Sequence, residues 1–285
     1  MTLSAADLDR FRGWIGREAQ SADVVSADLA RKFRATFDAA ADGTADPPQA
    51  GDIVPRLIHF CLAQPAVPTA QLGEDGHPQR GGFLPTVPLP RRMWAGGALT
   101  FQGDLRTGDA ITRTSRIADV SVKEGRSGVL CFVTVQHTIT VDGAVKVEER
   151  QDIVYRGADG GAPLKTPPAC EPGEHRRAID PSPPFLFRYS ALTFNGHRIH
   201  YDRRYATSVE CYPGLVVHGP LQATLLMNFA TAVRGTPPAR FSFRSVSPLF
   251  DNDPVLLHAR AEGEGLKLWT ARPDGPEAMI ADPAW

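Results

Sequence analysis

Several features that mark common classes of protein are missing from the sequence. Its four cysteines, Cys61, Cys131, Cys170 and Cys211, are widely spaced and form no CxxC pair, which argues against a disulfide framework and against a zinc site. There is no excess of positive charge either, because 31 lysines and arginines face 32 aspartates and glutamates. Nucleic-acid-binding proteins of this size usually carry a basic excess, so we expect no nucleic-acid partner.

Long apolar runs are missing too. No stretch approaches the roughly 20 apolar residues that cross a membrane, and the first nine residues contain early acids and no apolar core of a signal peptide. We therefore expect a cytoplasmic protein without membrane contact. No metal, flavin or nicotinamide motif occurs, so we expect neither a metal nor a cofactor. What remains is 42% apolar and 22% charged residues in a chain of 285, a composition typical of a globular protein with room for two domains.

The first half predicts two helices, a loop and a sheet. Ser4 and Ser26 are expected to begin the helices, each followed by apolar residues at helical spacing. Residues 62–92 are rich in proline and glycine and predict a long loop, a kind of segment that is often functional. Strands follow at 110–117, 128–141 and 146–155, and an Asp142-Gly143 turn between the last two indicates a hairpin.

The second half repeats this theme. Residues 161–184, rich in glycine and proline, predict a linker between an N-terminal domain (1–160) and a C-terminal domain (185–285). A strand is expected at 185–194, a helix from 219 to about 233, and strands around 239–248, 254–262 and 265–271. A short similarity between residues 105–111 and 249–255 supports a duplication. The prediction is an α+β protein of two fused hot-dog domains, each an antiparallel sheet around a central helix.

Two polar positions in the second half suggest chemistry. Adding water to an α,β-unsaturated thioester needs a base, a proton for the α-carbon and donors for the oxyanion. His200 is the candidate general base and acid, because imidazole titrates near neutrality. Asn195, five residues earlier, is expected to orient the water, since an amide cannot take a proton. The N–H of Gly219, at a predicted helix start with Pro220 in its first turn, is the candidate oxyanion donor.

These residues carry a family resemblance. Residues 192–200 (Leu-Thr-Phe-Asn-Gly-His-Arg-Ile-His) and 216–220 (Val-Val-His-Gly-Pro) resemble the Leu-Ser-Gly-Asp-x-Asn-Pro-Ile-His and Ile-Val-His-Gly-Met motifs of MaoC-like (R)-specific enoyl-CoA hydratases. The match places His200 on the catalytic histidine and Gly219 on the oxyanion glycine. Asn195 stands where the family has aspartate, and His197 where it has asparagine. The longer run is more similar to the branch of 3-methylfumaryl-CoA (mesaconyl-CoA) hydratases and fungal mitochondrial acyl-thioester dehydratases.

The resemblance implies a hydro-lyase that adds water reversibly to a short, branched or dicarboxylic enoyl-CoA, such as 3-methylfumaryl-CoA giving citramalyl-CoA. Coenzyme A is then part of the substrate. Further expected substrate contacts are Trp94, His197, Arg198, Arg203 and His218. Because each of these residue types is also common in purely structural roles, their assignment stays a hypothesis. His59 and His137, in apolar or strand contexts, are expected to be structural, and Asp202 to cap a short helix.

Two other functions compete with the hydratase. A hot-dog thioesterase commonly carries an Asp or Glu on or near its central helix, but residues 219–233 contain no carboxylate. A non-catalytic acyl-CoA-binding module would explain the loss of the aspartate, although His200 and the Gly219 helix start are both retained. Because hot-dog helices pack in pairs, the two halves are expected to form one pseudo-dimer, and further homodimerisation is left open.

Overall fold

The computed structural model describes residues 5–38, 47–125, 128–157 and 167–285. The helices are α1 (Ala5–Arg12), α2 (Ala27–Thr36), α3 (Pro183–Leu192), α4 (Arg203–Ser208) and α5 (Gly219–Arg234). The strands are β1 (Glu18–Val24), β2 (Arg91–Phe101), β3 (Ala110–Gly125), β4 (Gly128–Val141), β5 (Ala144–Arg156), β6 (His175–Ile179), β7 (Arg240–Ser245), β8 (Val255–Glu262), β9 (Gly265–Ala271) and β10 (Glu277–Ala284). None of the described helices is long and apolar enough to cross a membrane.

The ten strands of the described residues join one antiparallel sheet in the order β1-β3-β4-β5-β2-β7-β10-β9-β8-β6. The first five belong to the N-terminal half and the last five to the C-terminal half, and β2 pairs with β7 where the halves meet. Gly96 permits this close approach, since a Cβ there would lie 2.6 Å from the carbonyl oxygen of Phe243. The halves are therefore joined edge to edge by backbone hydrogen bonds.

Helix α5 fills the curve of the C-terminal sheet and contacts β7, β8, β9 and β10. Its apolar residues surround most of the helix, so it is buried over nearly its whole length. Gln222 ties it to the sheet, because its Oε1 accepts a hydrogen bond from Thr270 Oγ1 at 2.7 Å. Gly235, with φ 79°, ends the helix in the left-handed conformation that glycine favours. The first half has a shorter helix, α2, of ten residues.

Several predictions about local structure are confirmed. Ser26 is the N-cap of α2, and its Oγ accepts from the Leu29 N–H at 3.1 Å. Asp142 and Gly143 turn with φ 49° and 78°, as a tight hairpin between β4 and β5 requires. The segment 62–92 is irregular apart from a 3₁₀ turn at 69–71 and the start of β2. The predicted cap Ser4 lies outside the described residues.

The strand predicted at 185–194 is wrong, because these residues form helix α3 instead. Ser182 stands at the N-cap position and Pro183 in the first turn, where proline is favoured. Leu186, Tyr189 and Ser190 are buried, at the i, i+3, i+4 spacing of one helix face. The aromatic and apolar composition suggested a strand, but the buried positions follow the helical period.

The segment 161–184, predicted as a linker, contains strand β6, which pairs with β8, and the first residues of α3. The prediction therefore missed an ordered element there. Strands β1, β2 and β10 were not predicted either. The domain boundaries themselves stay a prediction.

Candidate active site

The candidate site lies in the turn between α3 and α4. After α3, Phe194 takes a left-handed φ of 49°, which reverses the chain. Asn195 then closes the turn, since its Oδ1 accepts from the N–H of His197 at 3.0 Å. Residues Arg198–His200 form a 3₁₀ turn that brings the His200 side chain into the protein. The amide of Asn195 is thus partly used to hold the turn, and its Nδ2 is the group left to meet a ligand.

His200 is buried, with 7% of its surface exposed. Its Nδ1 lies 2.7 Å from the carbonyl oxygen of Val216. A carbonyl can only accept, so Nδ1 carries the proton and Nε2 carries the lone pair. Burial lowers the pKa of His200 to about 4, although the bond to Val216 opposes the shift. At neutral pH this histidine is therefore a neutral imidazole ready to accept a proton at Nε2.

His218 lies against His200, with ring centroids 3.6 Å apart and planes 18° from parallel. It is the N-cap residue of α5, without a side-chain capping bond, and its expected contact with substrate stays a prediction. Its Nε2 instead pairs with Ser190 Oγ at 2.8 Å. Burial holds the pKa of His218 well below its usual value. Because His218 directly precedes α5, the stacked ring of His200 lies at the amino end of that helix.

Gly219 begins α5, followed by Pro220. A Cβ at position 219 would meet Ser245 Oγ at 3.7 Å and the carbonyl oxygen of Trp94 at 3.8 Å. A helix start presents unpaired N–H groups and a partial positive charge. The structure therefore places His200 and the first N–H groups of α5 next to one another, as the sequence predicted.

A loop from the N-terminal half completes the cluster. Asp75 and His77 lie in the long loop, and His77 Nδ1 is 2.9 Å from Asp75 Oδ2. The ring of His77 packs on that of His197 at 4.0 Å between centroids, and His197 meets His200 edge-to-face at 5.3 Å. Burial lowers the pKa of His197 to about 2. Four imidazoles, from residues 77, 197, 200 and 218, thus form one continuous group.

Two glycines make this contact between the halves very close. A Cβ at Gly76, whose φ is 86°, would lie 1.9 Å from the carbonyl oxygen of Gly196. The carbonyl oxygen of Asp75 also accepts from the N–H of Arg198 at 2.9 Å. The loop is therefore fixed through backbone atoms to the turn between α3 and α4, the candidate catalytic turn. Sequence reasoning missed Asp75 and His77, and their only signal was a short polar stretch in a loop predicted to be functional.

The predicted arginines are engaged elsewhere. Arg198 donates from Nη2 to Asp202 at 2.8 Å, and Arg203 pairs with Asp251. Asp202 is the N-cap of α4, as predicted, and accepts from the N–H of Tyr205 at 3.0 Å. Neither guanidinium is brought into the imidazole group by a described contact, so their role in substrate binding stays a prediction.

The Trp94 ring packs with Phe60 and Phe243, at 5.1 and 6.0 Å between centroids. Its backbone, rather than its ring, lies beside Gly219. Its neighbour Arg92, which the sequence reasoning did not select, lies against the hydroxyl of Tyr155. The charge of Arg92 also contributes to the lowered pKa values of His77 and His197, after burial. The positive charge of Arg92 thus acts on His77 and His197.

Among the described residues, a possible metal site is suggested by the spacing of three side chains and by no other feature. Asp75, His77 and His197 each offer one ligand atom, and these three atoms lie within 4.8 Å of one another. Asp75 and His77 are already joined by a hydrogen bond, and adding water to a conjugated thioester requires no metal. The expectation of no metal and no cofactor stays a prediction.

The arrangement agrees with what comparison of the whole chain shows. Residues 57–251 match the family model of hydroxyacyl-thioester dehydratase type 2. The chain is also 46% identical over 284 residues to the mesaconyl-C(4)-CoA hydratase of Chloroflexus aurantiacus, covering 98% of both chains. The chain belongs to this MaoC-like dehydratase family. It is accordingly a hydratase or dehydratase acting on acyl-thioesters.

Solved structures show the same fold. A MaoC-like dehydratase from Phytophthora capsici superposes with a TM-score of 0.69 at 14% identity, over 98% of this chain and 97% of the other. The Mycobacterium tuberculosis protein RV0216, described as a double hot-dog fold, has a TM-score of 0.53 at 14% identity over 94% and 96% of the two chains. The predicted α+β double hot-dog is therefore confirmed.

Proposed function

We propose that this enzyme reversibly adds water to a short, branched, dicarboxylic enoyl-CoA, with 3-methylfumaryl-CoA giving citramalyl-CoA as the expected reaction. The observation that carries the proposal is the contact between His200 and the amino end of α5. It brings a proton acceptor and a set of N–H donors to one place. The 46%-identical relative, named a mesaconyl-C(4)-CoA hydratase, supports this substrate class.

In the proposed mechanism His200 Nε2 acts as the general base on water. The lone pair at Nε2 follows from the bond between Nδ1 and Val216. Asn195 orients the water through Nδ2, since its Oδ1 is held by the N–H of His197. The water oxygen bonds to the β-carbon, and the proton that it loses returns to the α-carbon. One proton thus enters and leaves the imidazole group in each turnover.

The oxyanion is assigned to the start of α5. When water adds to the β-carbon, the π electrons move onto the thioester oxygen, where negative charge develops. The Gly219 N–H and the helix dipole are placed to stabilise that charge. Removing one such donor from a hydrolase costs about a hundredfold to a thousandfold in kcat, so this contact is a large part of the expected rate enhancement.

A second carboxylate on the substrate needs a cation. Because Arg198 and Arg203 are held by Asp202 and Asp251, we propose Arg92 for this role. Its charge acts on His77 and His197, and within the described residues no ion pair of Arg92 with a carboxylate is found. A guanidinium can bind a carboxylate through two parallel hydrogen bonds. Arg92→Met should therefore raise KM for 3-methylfumaryl-CoA far more than KM for crotonyl-CoA.

The direct test is an absorbance assay of the conjugated thioester. Purified protein with 3-methylfumaryl-CoA should lose this absorbance, and the product should contain one added water by mass spectrometry. Crotonyl-CoA, which lacks the second carboxylate, serves as the matched substrate. Inactivity on every short enoyl-CoA would falsify the proposal.

The same assays separate the competing functions. Release of free thiol from a saturated acyl-CoA would instead support a thioesterase, but α5 contains no Asp or Glu to catalyse it. Tight binding of the ester without turnover, unchanged in Asn195→Asp, would support a binding module. A cytoplasmic location and homodimerisation are kept as predictions, to be checked by fractionation and by light scattering.

A further inference from the structure

The Asp75–His77 pair is not used by the mechanism above. Within the group formed by residues 77, 197, 200 and 218, His77 is the imidazole for which a described contact supplies a carboxylate. Asp75 binds it twice, because Oδ1 accepts from the backbone N–H of His77 at 3.0 Å and Oδ2 lies 2.9 Å from Nδ1. His200, by contrast, has a backbone carbonyl as its Nδ1 partner, and His218 has a serine hydroxyl at Nε2.

The pair has a defined proton arrangement. An ionised carboxylate can only accept, so Nδ1 of His77 carries a proton and Nε2 carries the lone pair. Burial raises the pKa of Asp75, but the side-chain and backbone hydrogen bonds from His77 and the charges of His77 and His197 together outweigh it and hold that pKa well below its usual value. Asp75 is therefore a fixed negative charge behind an imidazole whose other nitrogen is free to accept a proton.

The loop that carries the pair is held in place. Gly76 packs against Gly196 with no room for a Cβ, and Arg198 donates to the backbone oxygens of both Glu74 and Asp75, at 3.1 and 2.9 Å. Contacts through backbone atoms position a side chain more precisely than contacts between flexible side chains. His77 thus has a preset place beside the catalytic turn, although it lies more than a hundred residues away in the chain.

The site needs a group of this kind. Asn195 is a neutral amide and cannot hold a proton. An imidazolium at His200 would lie in a buried position, stacked on the neutral His218 at 3.6 Å and with no carboxylate contact among the described residues. The lowered pKa of His200 shows that the charged imidazolium is unfavourable in this buried position. Some other group is needed to stabilise the proton between its removal from water and its delivery to the α-carbon.

We propose that His77 is a second acid–base residue of this site and that Asp75 is its positioning residue, an inference that rests on the proposed hydratase function. The water oxygen bonds to the β-carbon and its O–H bond breaks. The proton passes first to His200 Nε2 and then, across the ring of His197 that lies between the two, to His77 Nε2, where Asp75 balances the charge. The enolate then takes this proton at the α-carbon, and both imidazoles return to the neutral form.

The charges around His77 set its expected pH behaviour. Facing it are Asp75 on its own loop, His197 from the catalytic turn, and Arg80 and Arg92. Burial lowers the pKa of His77, Asp75 opposes this, and the arginines reinforce it. His77 must be neutral to accept a proton, so activity falls as it protonates at low pH. Removing the charge of Asp75 lowers the pKa of His77 further and moves that acid limb to lower pH.

The test compares His77→Gln and Asp75→Asn with wild type on 3-methylfumaryl-CoA and crotonyl-CoA. Both variants should lower kcat about a hundredfold or more, the usual contribution of one acid–base group, with little change in KM. Asp75→Asn, which is nearly isosteric and can still accept from the His77 N–H, guards against a folding defect. His175→Gln, an exposed change on β6, is the matched control and should keep wild-type kcat.

Three results would overturn the inference. His77→Gln could retain kcat within about threefold of wild type, a difference too small for an acid–base group. Asp75→Asn could lower kcat only in proportion to a loss of folded protein, with an unmoved acid limb, which would indicate a structural loop. Treatment with EDTA could abolish wild-type activity and zinc restore it, which would make the group a metal site.

Failure of the proposed function is recognised separately. In that case wild type itself hydrates no enoyl-CoA. A proton NMR spectrum without substrate still tests the pair, because the Nδ1 proton of His77 should give a downfield signal that disappears in Asp75→Asn. Absence of that signal from wild type would contradict the proton arrangement on which the inference depends.

Discussion

Buried histidines occur in both halves of the molecule, but their surroundings differ. In the N-terminal half His137 has a partner on each ring nitrogen, Ser115 Oγ at 2.7 Å and Gln151 Oε1 at 3.1 Å. His59 Nε2 lies 3.4 Å from Oε2 of the buried Glu149. In the C-terminal half His218 Nδ1 is buried without a partner, and His200 uses Nδ1 for a carbonyl and leaves Nε2 for a ligand.

The difference teaches how a buried histidine becomes functional. A ring whose two nitrogens are both satisfied by the fold contributes to packing and stability. A ring that is fixed through one nitrogen, with the other free, is oriented for chemistry. His59 and His137 were predicted to be structural and His200 to be catalytic. The two hydrogen bonds of His137 agree with a structural role, whereas His59 Nε2 lies near Glu149 without a hydrogen bond. The catalytic role of His200 stays a prediction.

The largest expected effect is a loss of activity in a variant of His200. It tests the division between structural histidines in the N-terminal half and a catalytic histidine in the C-terminal half. His200→Ala should lower kcat by about a thousandfold or more, because it removes the proposed base. The matched change His137→Gln should leave kcat of the folded protein unchanged. Steady-state kinetics on 3-methylfumaryl-CoA checks both variants. A large loss of kcat in His137→Gln would contradict the structural role of His137 and indicate that the N-terminal half contributes to catalysis.

The next effect is on stability, and here the change in the N-terminal half is expected to have the larger consequence. Glu149→Ala should lower the free energy of unfolding by about 3 kcal/mol, because the change breaks a fully buried polar cluster. Glu149 is 4% exposed and its neighbours include His59, His137 and Arg113. Urea unfolding measures the change. The folded fraction should turn over at the wild-type rate, and a specific loss of kcat would show that the cluster contributes to the site.

A pH series sharpens the comparison further. His200 has its pKa lowered by burial to about 4, against about 6.5 in the unfolded chain. Between these values the unfolded state binds a proton that the folded state does not, so stability falls as pH drops from about 6.5 to 4. The melting temperature of wild type should fall in this window, and that of His200→Gln should fall less.

Over the same pH range in which stability falls, the activity of the folded enzyme should be maintained. The proposed base works in its neutral form, so kcat/KM of the folded enzyme should hold as pH falls through the usual titration range of histidine, and decline only below it. His137→Gln should leave this acid limb in place. A limb at or above pH 6.5 would contradict the lowered pKa of His200.

The smallest effect on stability is expected at Gly219. A Cβ there would make ordinary contacts of 3.7 to 4.0 Å, so Gly219→Ala should change stability by less than about 1 kcal/mol. It should still lower kcat/KM about tenfold, a loss of roughly 1.4 kcal/mol of transition-state binding, because the methyl group crowds the proposed oxyanion position.

Gly76→Ala is the contrast to that change. Its Cβ would overlap the carbonyl oxygen of Gly196, so both stability and activity should fall. Thermal unfolding and kinetics on the two variants separate a crowded ligand site from a disrupted contact between the halves. Equal losses of stability in both would show that position 219 is structural.

Local patterns predicted much of the fold. Strands with period-2 alternation, the Asp142-Gly143 turn and the apolar α5 each depend on residues near one another in the chain, so their sequences suffice. Helix α3 was misassigned because its aromatic residues suit either structure, and only the burial of Leu186 and Tyr189 on one face decides for a helix. Strand β6 was missed because its register with β8 is set by residues about eighty positions away.

The sequence by itself predicted a site at positions 195, 200 and 219, because the polar turn and the helix start are local signals. Only the tertiary structure decided which other groups join them. The contact of His77 with His197 and the hydrogen bond from the Arg198 N–H to the carbonyl oxygen of Asp75 depend on how the long loop folds onto the turn between α3 and α4. Such contacts come from packing between halves, and no local spacing encodes them.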